Sequence, residues 1–208
     1  MQTDAVVYIV DDDEAVRKSL VLLLKSTGYT SKACASAQEF LDCYDPSRLS
    51  CMLLDIRMPG MSGLELQENL LSRGIHIPVI IMTGHGDVSL AVRTMKAGAK
   101  DFIEKPFHKQ VLLDMIEQSM EDEIENNKHR ERHADGLKRL ALLTPRERQV
   151  MLILNEGKLN KQVASDLDIS VRTVEVHRAR IMQKLKIRTF SELVRLAMLE
   201  VDMNTHTD

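Results

Sequence analysis

The chain has no tryptophan, and its other aromatics number only seven, three Tyr and four Phe. Its cores must therefore be filled by Leu, Ile and Val and by the 12 Met. Cysteine is scarce too. Cys34, Cys43 and Cys51 are odd in number and lack Cys-x-x-Cys spacing, so they read as reduced thiols of a cytoplasmic protein, two of them in strands. Long apolar runs are missing: they reach about five residues, as at 20–24 and 79–82, where a membrane span needs about 20. A membrane protein is excluded on that ground. The start, Met1-Gln2-Thr3-Asp4, has none of the basic character of a secretory signal. No internal repeat or low-complexity segment interrupts the chain.

What is present is ordinary for a globular protein: 208 residues, 44% hydrophobic and 28% charged. The charge is divided unevenly. Residues 1–125 carry 12 Lys+Arg against 20 Asp+Glu, and residues 126–208 carry 16 against 11. A net −8 half followed by a net +5 half predicts two domains, with a polyanion partner for the second only.

Up to residue 120, short apolar runs alternate with helical periodicity. Strands are predicted over 5–10, 29–33, 51–54, 78–82 and 101–103. Between them Val16, Leu20, Leu23 and Leu24 recur at helical spacing until Gly28. Ser36 with Glu39 predicts a helix N-terminus, and Leu64, Leu66, Leu70 and Leu71 mark another helix. A fourth helix is expected over 87–97, and a last one from Phe107 through Leu112, Ile116 and Met120. Strands alternating with helices mean an α/β fold with a parallel sheet covered on both faces. Its polar ligands should bind at the carboxyl ends of the strands. Residues 121–140 are almost devoid of apolar side chains at first and read as a linker, helical to about residue 133.

The rest, 141–208, is helical throughout. Thr144-Pro-Arg-Glu147 places Thr at the N-cap, Pro at N1 and Glu at N3. Asn160 is expected to cap a helix over 161–167 and Ser170 one over 171–185, with a three-residue turn between them; Thr189 and Glu192 open the last helix. Short helices in this arrangement describe a helix-turn-helix.

Asp11, Asp12 and Asp55 each follow a strand and should converge at the sheet edge beside Thr83 and Lys105. Clustered carboxylates repel, and a bound cation relieves them. Hard oxygen donors at an open edge favour Mg²⁺, and Mg²⁺ beside a carboxylate suits phosphoryl transfer. Asp13 and Glu14 read as a solvated acidic helix start that favours the helix dipole. Pro106 either ends the fifth strand or takes a cis bond that aims Lys105; both readings are compatible with the sequence.

These residues carry a family resemblance. Ile9-Val-Asp-Asp-Asp13, Leu54-Asp-Ile-Arg-Met-Pro-Gly60, Met82-Thr-Gly-His-Gly-Asp-Val88 and Ala97-Gly-Ala-Lys-Asp-Phe-Ile-Glu-Lys-Pro-Phe107 resemble a two-component receiver domain. Leu143-Thr-Pro-Arg-Glu-Arg148, Asn160-Lys-Gln-Val-Ala164 and Ser170-Val-Arg-Thr-Val-Glu-Val-His177 resemble a LuxR-type output domain. Together they resemble the FixJ branch of the NarL/FixJ response regulators. The resemblance implies a flavodoxin-like doubly wound sheet of order 2-1-3-4-5 followed by a four-helix DNA-binding domain. It implies that Asp55 accepts a phosphoryl group from a sensor histidine kinase and that Asp12 ligates Mg²⁺ directly. Asp11 would act largely through water, and the Arg57 backbone carbonyl would complete the protein ligands. Thr83 matches the switch hydroxyl, Lys105 the lysine of the pattern and Phe102 the rotating aromatic. It further implies homodimerisation through a face around Val92, Met95 and Phe102, promoter binding, and transcription activation with RNA polymerase.

In the basic half, Arg172, Thr173, Glu175, Val176 and Ala179 are the expected groove-facing side of the recognition helix. Lys161, Arg178, Arg180 and Lys184 are expected on phosphates. His177 reads as a packed or capping residue. Leu193 and Leu196 of the last helix are candidates for a dimer contact, and a two-fold dimer predicts inverted-repeat operators. Two rival readings stand beside this one. A Mg²⁺-dependent phosphohydrolase with an aspartyl nucleophile explains the acidic residues and leaves the helix-turn-helix unexplained. A constitutive DNA binder with an idle receiver would bind its operator equally with and without phosphodonor.

Overall fold

The computed structural model describes residues 5–84 and 88–205; the expected helix start at Asp87 lies outside the described residues. The chain divides into two compact units, residues 1–126 and 127–208.

In the first unit five strands form one parallel sheet: β1 (Val6–Val10), β2 (Thr30–Cys34), β3 (Ser50–Asp55), β4 (Val79–Thr83) and β5 (Asp101–Glu104). The order β2-β1-β3-β4-β5 is the doubly wound arrangement. β1, β3 and β4 are buried almost end to end, which is why they read as continuous apolar runs. β2 and β5 are edges with mixed exposure, and their sequence signal is correspondingly weak.

Alternation along the strands sends side chains to two cores. Val6, Tyr8, Val10, Met52, Leu54 and Ile81 meet Phe40 of α2 (Ala37–Cys43), Leu66 and Leu70 of α3 (Gly63–Ser72) and Met95 of α4 (Val88–Lys96). Val7, Ile9, Leu53, Ile80 and Met82 meet Leu20 and Leu24 of α1 (Glu14–Ser26). Leu112, Ile116 and Met120 of α5 (Lys109–Leu140) complete that second face. The few aromatics are concentrated: the Tyr8, Phe40 and Tyr44 rings pack with centroids 5.1–5.7 Å apart. The Tyr8 hydroxyl also accepts the Asp45 N–H at 3.1 Å.

Helix starts follow the predicted chemistry in most places. Asp13 caps α1, accepting the N–H groups of Ala15 and Val16, so its acid serves the helix. Ser62 and Glu65 form a capping box on α3. Gly63 follows Ser62 because the helix passes close to the end of β3: its N–H donates to the Ile56 carbonyl at 3.0 Å, and a Cβ there would lie 2.3 Å from the Asp55 carbonyl oxygen.

The second unit holds the end of α5 with α6 (Pro145–Asn155), α7 (Asn160–Asp166), α8 (Val171–Leu185) and α9 (Phe190–Thr205). Val150, Leu154, Val163, Val174, Ile181, Leu185, Leu193 and Ala197 form its core. α5 runs to Leu140, past the expected end near residue 133. Leu137 and Leu140 pack into this core, and Gly136 lets the helix approach α9, where a Cβ would lie 2.5 Å from Leu199. The expected Asn160 cap is corrected. Leu159 occupies that position and its N–H donates to Gln162 Oε1 at 2.8 Å, while Asn160 accepts from Arg178 at 3.3 Å. The turn before α8 holds Asp168 at φ 51°, a left-handed conformation that its short polar side chain tolerates.

Thr144 and Glu147 make the predicted capping box. Glu147 is buried, and its Oε2 also accepts from Lys184 Nζ at 2.7 Å. Burial pushes the carboxyl up, but the Lys184 ammonium and the Thr144 donors outweigh it and bring the pKa down to about 2.

Two stability predictions follow from these contacts. Gly63→Ala should cost about 1–3 kcal/mol through overpacking against the β3 backbone, read as a lower first-unit transition in denaturant unfolding of the full chain. For Glu147 the folded pKa lies below the ordinary 4.5, so its stabilisation is present above that pH and lost as pH falls toward about 2. Glu147→Gln should destabilise the second unit by about 1–3 kcal/mol at neutral pH. It should also flatten that unit's acid sensitivity between those pH values in calorimetry.

Candidate functional site

The carboxyl ends of β1, β3, β4 and β5 deliver the functional groups to one edge. Asp11 directly follows β1, Asp55 closes β3, Thr83 closes β4 and Lys105 follows β5. Backbone bonds fix this edge: the Asp11 N–H donates to the Cys34 carbonyl at 3.2 Å, and the Lys105 N–H to the Thr83 carbonyl at 2.7 Å. Arg17, which sequence reasoning did not single out, donates from Nη1 to the Asp11 carbonyl at 2.7 Å. Its only signal is its place on the first turn of α1.

Lys105 stands between two carboxylates. Its Nζ lies 2.7 Å from Asp11 Oδ2 and 2.5 Å from Asp55 Oδ1. The second oxygens are held by backbone: Asp11 Oδ1 accepts the Asp13 N–H at 2.9 Å and Asp55 Oδ2 the Arg57 N–H at 2.8 Å. Asp11 is buried and Asp55 nearly so, its side chain 13% exposed. Burial raises the Asp55 pKa above the ordinary aspartate value, and the Asp11 charge adds to this; the Lys105 ammonium and the Arg57 N–H act in the opposite direction. For Lys105, burial lowers the pKa, but the two carboxylates outweigh it and the ammonium is held above its ordinary value. The Lys105–Pro106 bond is cis.

Asp12 takes no part in the Lys105 bridge. Its side chain is exposed and lines an open cavity of about 670 Å³ with Arg57, Met58, Ser62, Glu65 and Arg93. Of the three carboxylates expected to converge here, Asp11 and Asp55 are joined through the Lys105 ammonium, which offsets part of their mutual repulsion, and Asp12 is exposed beside Arg57. Among the described residues no three His, Cys, Asp or Glu side chains stand ready around a metal position. The donor set still fits a hard divalent cation: the Asp11 and Asp55 carboxylates exceed the single Lys105 ammonium in charge, Asp12 is open to solvent, and every donor is oxygen. The Thr83 hydroxyl is buried and makes a long 3.4 Å bond to the Ile103 carbonyl. Phe102, on edge strand β5, is 44% exposed.

In the second unit Val174, Ile181 and Leu185 fix which face of α8 is inward. The opposite face exposes Arg172, Glu175, Val176, Ala179 and Arg180, and Lys161 is exposed on α7. Three expected contact residues are engaged internally. The Thr173 hydroxyl pairs with Ser170 at 2.8 Å in the helix cap. Arg178 bonds Asn160 and lies over the Phe190 ring, 5.5 Å from its centroid. Lys184 is removed from the expected phosphate set, since the buried Glu147 carboxylate requires it. The capping box marks Glu147 as a helix-start acid but carries no sign of its burial, since Glu65 in the Ser62 capping box is exposed. His177 is half-buried, with its Nδ1 unpartnered among the described residues.

Comparisons with known proteins bear on both units. Residues 7–117 match the response regulator receiver domain, and residues 141–197 match the bacterial regulatory proteins of the luxR family. The transcriptional regulatory protein FixJ of Azorhizobium caulinodans is 48% identical over 193 residues, spanning 93% of this chain and 92% of that protein. The response regulator protein TodT of Pseudomonas putida is 41% identical, spanning 92% of this chain and 85% of its own length. Among solved structures, the response regulator StyR is 44% identical with a TM-score of 0.80, covering 94% of this chain and 98% of that one. Full-length FixJ from B. japonicum is also 44% identical, with a TM-score of 0.58 and coverage of 96% and 98%. The chain belongs to the NarL/FixJ family of two-component response regulators, in which a receiver domain is joined to a LuxR-type DNA-binding domain.

Proposed function

We propose that Asp55 is the phosphoryl acceptor of this regulator and that its modification controls promoter binding. The observation that carries this reading is the bridge from Lys105 to Asp11 and Asp55 at 2.7 and 2.5 Å, at the carboxyl edge of the sheet. The donor is a phosphohistidine on a sensor kinase. An Asp55 carboxylate oxygen attacks phosphorus, the P–N bond breaks, and the histidine nitrogen leaves with the electron pair. Asp55 must be ionised to attack; Lys105 and the Arg57 N–H favour that form against burial.

Asp11, Asp12, Asp55 and the Arg57 carbonyl would hold Mg²⁺, which supplies neutralisation of the phosphoryl oxygens. As charge moves onto the phosphoryl group, Lys105 transfers its hydrogen bond from Asp55 Oδ1 to a phosphoryl oxygen. Thr83 exchanges its weak bond to the Ile103 carbonyl for another such oxygen. That change draws on β4 and the neighbouring Phe102. With Phe in place of a phenol, the aromatic switch works by packing alone. Of the expected dimer face, Val92 and Phe102 are exposed while Met95 packs partly against the first core; with exposed Val111 of α5 they offer apolar surface to a second copy of the chain.

The dimer then binds promoter DNA through α8 and activates transcription by RNA polymerase. Labelling is stoichiometric rather than a substrate turnover, so the protein acts as a regulator and not as an enzyme. No described helix is long and apolar enough to cross a membrane, and the reading places the protein in the cytoplasm.

Two measurements test this. With acetyl phosphate and Mg²⁺, intact-mass spectrometry should find one phosphoryl group on the wild type and none on Asp55→Asn; full labelling of the variant would refute Asp55 as the acceptor. On duplex DNA, Arg172→Ala and Arg180→Ala should each weaken binding and reduce the slope of log K against log salt by about 1. Lys184→Ala should leave that slope unchanged and lower the thermal stability of the second unit.

A further inference from the structure

Two thiols stand together on the β2 side of the sheet, outside the Lys105 bridge. Cys34 closes β2 and is buried, and Cys43 closes α2 and is half-buried. Their sulfurs are 3.5 Å apart, one thiol hydrogen-bonded to the other. A disulfide requires about 2.05 Å, so the sulfurs need approach by only about 1.5 Å. Both backbones are held. Cys34 pairs with Val10 in the sheet, and its carbonyl accepts the Asp11 N–H. The Cys43 carbonyl accepts from Lys32 Nζ at 3.0 Å, which brings an ammonium close to the sulfurs.

The two thiols differ in access: Cys34 is buried on its strand and Cys43 is half-buried at its helix end. Cys43, the more accessible of the two, is then the attacking sulfur and Cys34 the resolving one. Cys51 lies in the core strand β3, its thiol pushed up to about 12 by burial, and it serves as an internal inert control.

We infer that Cys34 and Cys43 form a reversible dithiol–disulfide pair, closed by an oxidant of the peroxide class. The Cys43 thiolate attacks a peroxide oxygen and the O–O bond breaks. Cys43 becomes a sulfenic acid, and the departing hydroxide is protonated to water. The Cys34 sulfur then attacks the Cys43 sulfur. The S–O bond breaks, and the leaving hydroxide takes the Cys34 proton as a second water. Two thiols lose two electrons and hydrogen peroxide is reduced to two waters. Closure ties the end of β2 to the end of α2, one hydrogen bond from Asp11.

The test uses the full-length protein, treated under native conditions with hydrogen peroxide until the mass is constant, then freed of oxidant, unfolded, alkylated and mapped by peptide mass spectrometry. The expected product is monomeric, lighter by two hydrogens, with Cys34 linked to Cys43 and Cys51 alkylated. Dithiothreitol should restore three alkylatable thiols. In Cys34→Ser, Cys43 should stop at a sulfenic acid that dimedone traps. Oxidation of Cys43 to the sulfinic acid with Cys34 still a thiol would overturn the inference. So would two unreacted thiols, or a link that appears only in denaturant.

Discussion

Two aspartates at adjoining strand ends, both taken out of water, cannot share one edge without a counter-charge. Lys105 supplies it, with one ammonium bonded to Asp11 and Asp55. Removing one member of such a buried group leaves a charge without compensation, at a cost of about 3–5 kcal/mol. The arrangement is therefore stable at rest and sensitive to any change in charge on Asp55. A phosphoryl group adds negative charge at the place where the ammonium already points. The resting contact and the proposed switch are the same interaction in two states.

The sheet holds this edge in place. β1, β3 and β4 are buried on both faces, so their ends are fixed by two cores at once. Asp11 and Lys105 are further secured by backbone bonds to Cys34 and Thr83 of the neighbouring strands. Gly63 lets α3 start against the backbone of Asp55 and Ile56, where any side chain would intrude. The mobile parts of the proposed switch, by contrast, are weakly held: the Thr83 hydroxyl bond is long and Phe102 sits on an edge strand.

The alternation of strands and helices, the sheet class and the strand-end placement of Asp11, Asp55, Thr83 and Lys105 were all legible in the sequence, because buried strands and capping residues follow short-range rules. What escaped depends on contacts far along the chain. The end of α5 at Leu140 is set by packing of Leu137 and Leu140 in the second core. Lys184 reads as one more cation on a basic helix, but its partner is the buried Glu147, 37 residues earlier. Arg178 is likewise drawn inward by Asn160 and Phe190. Asp11 and Asp12 are adjacent in the chain, yet one is buried and the other faces solvent. A basic helix thus contains cations of two kinds, those available to DNA phosphates and those that stabilise the fold, and charge counting does not separate them.

The central claim is that Lys105 moves its hydrogen bond from Asp55 to the group attached there. The most direct measurement is ¹⁵N NMR of the lysine side chains in the full-length protein, with Lys105 assigned by substitution, before and after treatment with acetyl phosphate and Mg²⁺. The account predicts a protonated, slowly exchanging Lys105 ammonium at rest, whose resonance shifts and couples to ³¹P once Asp55 is labelled. A Lys105 signal that stays unchanged while Asp55 carries the phosphoryl group would contradict it.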